Sequence, residues 1–287
     1  MLGYIIYDEK QHQKNTFFSN ELIKYCKNFS NIKLIIIEYL DFGFVNSTPY
    51  LKYKNKQIPF PNFAIIRTIN PFLSYFLENN NVRLFNNYLI SNFCNNKALT
   101  YSIVSKTNIP QLSTIFLNKK YLNKKHLNTL NYPYVLKSID GHGGKETFLI
   151  KNNRELTKKL SEIKSNEFIL QDVCVPWGKD LRVYVLGTKV VASILRTAST
   201  GFKSNYSLGG KIEKYKLNNK QKKAINTILS ILPAKPDFIG IDFLLKDNQL
   251  YFNEIEDVVG TRMLYTITNI NIIKKYCNYI KKEIIKC

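Results

Sequence analysis

The sequence predicts an α/β protein in two parts: a small parallel-sheet domain at residues 1–92, then a longer region of mixed strands and helices at residues 93–287. Short apolar runs alternate with helix-period segments through residue 92, the pattern of strands joined by crossover helices. From "NNKALTYSIVSKTNIP" onward the pattern changes, and strands follow one another with short turns between them. The 287 residues are 45% hydrophobic and 13% aromatic, enough apolar material for more than one core.

In order, "LGYIIY" reads as a buried strand, and "SNELIKYCKNF" as a helix with Ser19 as its N-cap and Leu22, Ile23 and Cys26 at helical spacing. "IKLIIIEYL" and "NFAIIRT" supply the second and third strands, and Pro71 sits in the first turn of the helix "NPFLSYFLENN". A helix from Lys97 to Lys106 ends before Pro110. Strand "STIFL", a polar helix from Lys120 to Leu130, strand "YPYVLKS", loop "IDGHGGKE", strand "TFLI", helix "NRELTKKLSEI" and strand "EFILQDV" come next. "DLRVYVLGTKVVASILR" reads as a hairpin turning at Gly187-Thr188, followed by a long polar loop, "TASTGFKSNYSLGGKIE". A helix "NKQKKAINTILSIL", two acidic strands and an amphipathic helix "NINIIKKYCNYIKKEII" close the chain.

Lys and Arg number 42 against 21 Asp and Glu, a net charge of +21 that attracts anions: nucleotides, nucleic acid or acidic peptides. Much of the excess follows the Asn/Lys/Ile/Tyr bias of runs such as "NKKYLNKKHLNTLNY", and no basic tail stands out. The scattered cysteines Cys26, Cys94, Cys174, Cys277 and Cys287 form no CxxC pair, which argues against a zinc site or a disulfide framework and for reduced thiols. With no apolar run long enough for a signal peptide or a membrane span, a cytoplasmic location is expected.

Against this basic background, "GIDFLLKDNQLYFNEIEDVVG" gathers acids inside apolar strands. Alternation in "YFNEIE" places Phe252, Glu254 and Glu256 on one face, and a turn at "KDNQ" brings Asp242 beside them. Converging carboxylates need a proton, lysines or a hard divalent cation; solvent exposure is the plain alternative. In "VLKSIDGHGGKE", Lys137 ends a strand before Gly141, Gly143 and Gly144, glycines that let backbone N–H groups approach a phosphate. A glycine-rich hairpin loop is the commoner reading of that motif alone. Arg182 and Arg196 lie on neighbouring strands, and Lys203 and Asn205 follow in the polar loop, a set suited to an anionic ligand or to an ordinary charged surface.

Taken in order, "VLKSIDGHGG", "ILQDV", "KDLRVYVLGTKVVASILR", "FKSNYSLGG", "GIDFL" and "YFNEIE" resemble the ATP-grasp superfamily, in particular the branch of glutathione synthetase and the ribosomal-protein glutamate ligases. The resemblance spans residues 64–265. It implies a Rossmann-like pre-grasp domain at 1–92 and a two-subdomain ATP-grasp fold at 93–287, with a lid at about 110–172 and a metal and nucleotide subdomain at about 173–287. Lys97 and Lys137 match the family's phosphate-binding lysines, and Gln171, Asp172 and Val173 match the hinge whose backbone meets adenine. Asp180 falls near the ribose or the neighbouring basic pair. Arg182, Arg196, Lys203 and Asn205 match positions that touch phosphate or the acyl intermediate, and Asp242 and Glu254 match the metal-binding acids. Glu256 departs from the usual asparagine, Lys203 from the usual arginine, and His142 adds bulk to the glycine loop.

The implied activity is an ADP-forming carboxylate–amine ligase using ATP and Mg²⁺, two ions per site or Mn²⁺ in their place, with Asp242, Glu254 and Glu256 as ligands and Arg196 or Lys203 stabilising the oxyanion. An amino acid, a peptide or a protein side chain is the expected substrate, an acidic one in view of the charge, and relatives commonly form dimers or tetramers. His142 and Trp177 receive no role. The competing class is a non-catalytic nucleotide- or nucleic-acid-binding protein on a degenerate grasp fold.

Overall fold

The computed structural model describes residues 1–123, 130–175, 177–199, 201 and 209–285. Strand β1 (Leu2–Tyr7) is followed by helices α1 (Glu9–Lys14) and α2 (Thr16–Cys26), then β2 (Asn31–Ile36). Ser19 lies inside α2, not at its start; its hydroxyl donates to the Thr16 carbonyl, and Asn15 is the cap position. The expected long second strand stops at Ile36. After a 3-10 turn the chain enters an antiparallel meander of β3 (Leu40–Val45), β4 (Thr48–Tyr53) and β5 (Lys56–Gln57). Its turns, Asn46-Ser47 and Lys54-Asn55, have positive φ at both residues without glycine, which is why the sequence did not announce them.

Strands β6 (Phe63–Ile66) and β7 (Arg83–Phe85) flank helix α3 (Pro71–Asn79), whose cap is the Asn70 side chain and whose first turn holds Pro71. β2, β1, β6 and β7, in that order, form the expected parallel sheet. Helices α4 (Tyr88–Cys94) and α5 (Lys97–Val104) then lead into a four-stranded antiparallel sheet ordered β10-β9-β11-β8, made of β8 (Thr114–Asn118), β9 (Tyr134–Ser138), β10 (Thr147–Ile150) and β11 (Glu167–Asp172). Helix α6 (Asn153–Glu162) covers it with Leu156 and Leu160. The polar helix expected over 120–130 falls largely outside the described residues; Lys119–Tyr121 form a 3-10 turn.

The third sheet carries the chemistry. Its five antiparallel strands run β14-β13-β12-β15-β16: β12 (Lys179–Leu186), β13 (Lys189–Thr197), β14 (Lys211–Lys214), β15 (Phe238–Lys246) and β16 (Gln249–Glu256). β14 begins inside what the sequence offered as loop and ends one residue beyond it. One face, with Leu181, Val183, Ile241, Phe243 and Phe252, is buried against Tyr101 and Val104 of α5 and against Ile225 and Ile228 of helix α7 (Asn219–Ile231). The other face is apolar only at one end, where Tyr184, Ile194 and Phe238 join Phe63 and Phe85 of the parallel sheet and Tyr276 of the closing helix. Two last helices, α8 (Arg262–Ile267) and α9 (Ile272–Ile285), complete the chain, α9 packing on α2. Burying each such large side chain contributes about 1.5–3 kcal/mol, so this sheet is a rigid base for the charged end of its second face. Among the described residues no helix is long and apolar enough to cross a membrane.

Candidate active site

Strand register builds the site. Asp180 pairs with Arg196, Arg182 with Asp242, Asp242 with Glu254, and Gly240 with Glu256 across β13, β12, β15 and β16. Directly paired residues project to the same face, so these side chains form one charged row opposite the apolar core. A bulge between Asp242 and Phe243 corrects the expected alternation on β16. Phe243 pairs with Phe252, and Asn253 is the extra residue, so Phe252 turns into the core while Glu254 and Glu256 stay with Asp242.

Asp242 and Glu256 find arginines, whereas Glu254 has a lysine, Lys97, 3.5 Å away, one of the expected partners. Arg182 donates from Nε to Asp242 Oδ1 at 2.8 Å and from a terminal nitrogen to Oδ2 at 2.6 Å. Arg196 reaches Asp242 Oδ2 at 2.7 Å and grips Asp180 through both carboxylate oxygens. Arg182 also lies 2.7 Å from Glu256 Oε1. Asp242 is 0% exposed, a cost that only such bidentate, charge-assisted contacts offset. Burial pushes its carboxyl up, but Arg182 and then Arg196 outweigh this and hold it at about 2. Burial drives Glu256 the other way, to about 7, with Arg182 opposing.

Lys97 opens α5, whose cap Asn96 accepts from the backbone N–H groups of Ala98 and Leu99. Its ammonium donates to the Gly141 carbonyl at 2.5 Å and lies 3.5 Å from Glu254 Oε2. Lys137, on β9, donates to Gln171 Oε1 at 2.7 Å and Asn253 Oδ1 at 2.9 Å. Burial lowers it to about 8, against the pull of Glu254 and with help from Lys97. Both lysines line one cleft with Gly141, Gly144, Gln171, Asp172, Val173, Asp180, Arg196 and Glu254.

A second cleft adjoins the first. The parallel-sheet region contributes Asp8, Gln11 and Arg67 to it, the glycine loop His142 and Gly143, and the charged row Arg182, Arg196 and Glu256, with Arg262 beyond. Arg196 lines both clefts. The glycines expected to act together are therefore divided: Gly141 and Gly144 face the first cleft and Gly143, at φ 64°, the second. Burial, reinforced by Lys97, holds His142 at about 4, so its imidazole is neutral at pH 7. Arg67 donates to the Val259 carbonyl at 3.0 Å and stacks 4.8 Å over Phe18.

Lys203 and Asn205 lie outside the described residues. Sequence reasoning missed Asn253, Cys174, Trp177 and Lys179 as lining residues of the first cleft. Asn253 had a signal, a polar residue between apolar Phe252 and acidic Glu254; the others had none.

The acids also fit a hard cation. Asp242, Glu254 and Glu256 can each offer one carboxylate oxygen within 4.8 Å of the others, an all-oxygen set of the kind Mg²⁺ accepts. Asp242 Oδ1 accepts from Arg182 Nε alone, whereas Oδ2 accepts from both arginines, so Oδ1 is the oxygen with an acceptor site left for a cation.

Residues 94–280 match the RimK-like ATP-grasp domain. The chain is similar to the uncharacterized protein MG011 of Mycoplasma genitalium, 27% identical over 297 residues that cover 98% of this chain and 96% of the relative. It is also similar to the glutamate–LysW ligase ArgX of Sulfurisphaera tokodaii, 27% identical over 244 residues, 80% of this chain and 85% of that one. Its fold matches that of the D-alanine–D-alanine ligase of Bacillus anthracis complexed with ATP, with a TM-score of 0.74 at 18% identity, covering 99% of this chain and 97% of that one.

Proposed function

The chain belongs to the RimK-like ATP-grasp family of ATP-binding ligases, and on that premise we propose that it joins a carboxylate to an amine with release of ADP and phosphate, through an acyl phosphate. ATP lies in the first cleft, its phosphates between Lys97 and Lys137, its base against the Gln171–Val173 strand end and Trp177. Asp180, gripped by Arg196, stands with the basic pair rather than at the ribose, and residues 1–92 form a pre-grasp domain packed against the grasp at 93–287. The carboxylate and the amine occupy the second cleft. Mg²⁺, or Mn²⁺, as one ion or two, is held by Asp242, Glu254 and Glu256; when bound it offsets the charge that develops on the transferred phosphoryl group.

The observation that carries this reading is that Arg196 lines both clefts, at the junction where a carboxylate must meet the γ-phosphate. A guanidinium there faces the phosphoryl oxygens in the first step and the tetrahedral oxyanion in the second. Its partner Arg182 keeps Asp242 ionised. By the sequence resemblance alone, Lys203 and Asn205 are further candidates for the anion-binding set. The amide-forming step expels phosphate, so no protein nucleophile is needed, and closure of the glycine loop keeps water from the acyl phosphate.

The relatives favour an amino acid, a peptide or a protein side chain as substrate. One relative is named a glutamate–LysW ligase and others probable alpha-L-glutamate ligases, and the +21 charge favours acidic partners. Consumption of ATP and the reduced thiols fit the cytoplasm. The test is incubation with ATP, Mg²⁺ and panels of amino acids and acidic peptides, with hydroxylamine as a trap. ADP and phosphate in step with amide or hydroxamate supports the proposal; AMP and pyrophosphate, or no turnover with any acceptor, contradicts it.

A further inference from the structure

We infer that Tyr101 and Thr114 are positioning residues for Lys137, acting through the side-chain amide of Gln171. The inference rests on the reading of the first cleft as a nucleotide site. Its basis is the direction of each hydrogen in a buried chain of contacts.

Gln171 is 1% exposed, and its amide nitrogen donates to the Tyr101 hydroxyl at 2.5 Å and to Thr114 Oγ1 at 2.9 Å. An amide –NH₂ has two hydrogens, and both are used. Each hydroxyl has in turn committed its own hydrogen to a backbone carbonyl: Tyr101 to Phe252 at 3.4 Å, Thr114 to Leu112 at 2.9 Å. Thr114 can therefore only accept from Gln171, Tyr101 with its longer contact accepts alongside it, and Lys137, which can only donate, requires the amide oxygen on its side. This leaves Gln171 Oε1 facing Lys137 at 2.7 Å. A flipped amide would set –NH₂ against an ammonium and carbonyl oxygen against a Thr114 oxygen without a free hydrogen, which is disfavoured in a buried network.

The consequence is geometric. Lys97 and Tyr101 stand one turn apart on α5, on the same side of the helix. The helix that carries the first lysine thus orients, through Gln171, the second lysine on another sheet. The Tyr101 ring is itself wedged against Phe252 at 5.4 Å and Phe116 at 6.4 Å, so the hydroxyl is not free to swing away. Gln171 was expected to act through its backbone at the hinge; its side chain has this separate duty.

A double-mutant cycle with MgADP as the probe, read by calorimetry, tests the inference. Tyr101→Phe should weaken MgADP binding roughly three- to tenfold, the range for one lost hydrogen bond, and Gln171→Leu at least as much. Lys137→Met should weaken it further. The decisive arm is Tyr101→Phe on the Lys137→Met background, titrated far enough into excess nucleotide to read the weakened site. If Tyr101 acts through Lys137, the second change adds less than about a twofold loss there. Equal losses in both backgrounds, or no loss from Tyr101→Phe alone, overturn the inference. Thr114→Val, at the edge strand β8, serves as the independent variant should Tyr101→Phe fold poorly, with melting temperatures of the nucleotide-free proteins as the control. Unchanged MgADP affinity in Lys137→Met would instead overturn the nucleotide site, and this inference with it.

Discussion

Arg196 and Asp242 meet through a 2.7 Å hydrogen bond in which neither side chain is more than 5% exposed. Because Arg196 also grips Asp180 and Arg182 grips both Asp242 and Glu256, removing one arginine strands carboxylates in the interior. Arg196→Ala should therefore lower unfolding stability by about 3–5 kcal/mol, the usual effect of breaking a buried pair from one side. Urea unfolding measures it, and a loss below about 1 kcal/mol would show that the network is solvated in solution.

Glu254 bears on metal affinity more than on the fold, since its side chain is a quarter exposed and contacts only Lys97 at 3.5 Å among the ion pairs described. Glu254→Gln should leave the melting temperature nearly unchanged. It should weaken Mn²⁺ binding in the presence of ADP by more than about tenfold, the floor for disturbing even a residue behind a ligand. Mn²⁺ electron paramagnetic resonance titrations read this directly, and an unchanged affinity would remove Glu254 from the metal site.

At and above about pH 8, where Glu256, held at about 7, is already mostly ionised, Lys137 sets the pH dependence of nucleotide binding. Its ammonium lies at about 8 in the free protein, below the ordinary 10.5. A phosphate beside it favours the charged form and raises that value. MgADP affinity should then fall as pH rises through about 8, with proton uptake on binding. Calorimetry in two buffers of different ionisation enthalpy checks the sign; proton release contradicts it. For stability the same depression works in the opposite sense. Between about 8 and 10.5 the unfolded chain binds more protons than the folded one, so this group's contribution rises with pH across that window.

Phe252 separates the observed register from simple alternation. The bulge at Asn253 buries its ring in contact with Phe243 and Tyr101. Phe252→Ala should cost about 3–5 kcal/mol of stability, as for a core aromatic. A variant that kept its melting temperature and lost only activity would instead place Phe252 with the acids.

Much of the architecture was legible because the parallel strands and the hairpins repeat simple apolar periods. The meander of β3, β4 and β5 was not, since its turns use Asn, Ser and Lys where glycine would have marked them. At the site, the convergence of Asp242, Glu254 and Glu256 followed from strand order and alternation, and the shared cleft of Lys97 and Lys137 from the family resemblance. The neutralising partner of Asp242 and Glu256 did not: an arginine three strands earlier in sequence is indistinguishable from a surface charge until register pairs Arg182 with Asp242. Nor did the bulge, because a one-residue insertion leaves the composition of "YFNEIE" unchanged. Asn253, though it breaks the apolar run, and the side chain of Gln171 were missed for a related reason: a neutral amide shows which group it serves only once its hydrogen-bond partners are in place.

The most direct test of the account is a crystal structure with Mg²⁺ and a non-hydrolysable ATP analogue. The account predicts phosphates held between Lys97 and Lys137, metal on Glu254, Glu256 and the Oδ1 of Asp242, and Arg196 turned toward the γ-phosphate. Nucleotide bound elsewhere, or a phosphate chain that touches neither lysine, would contradict it.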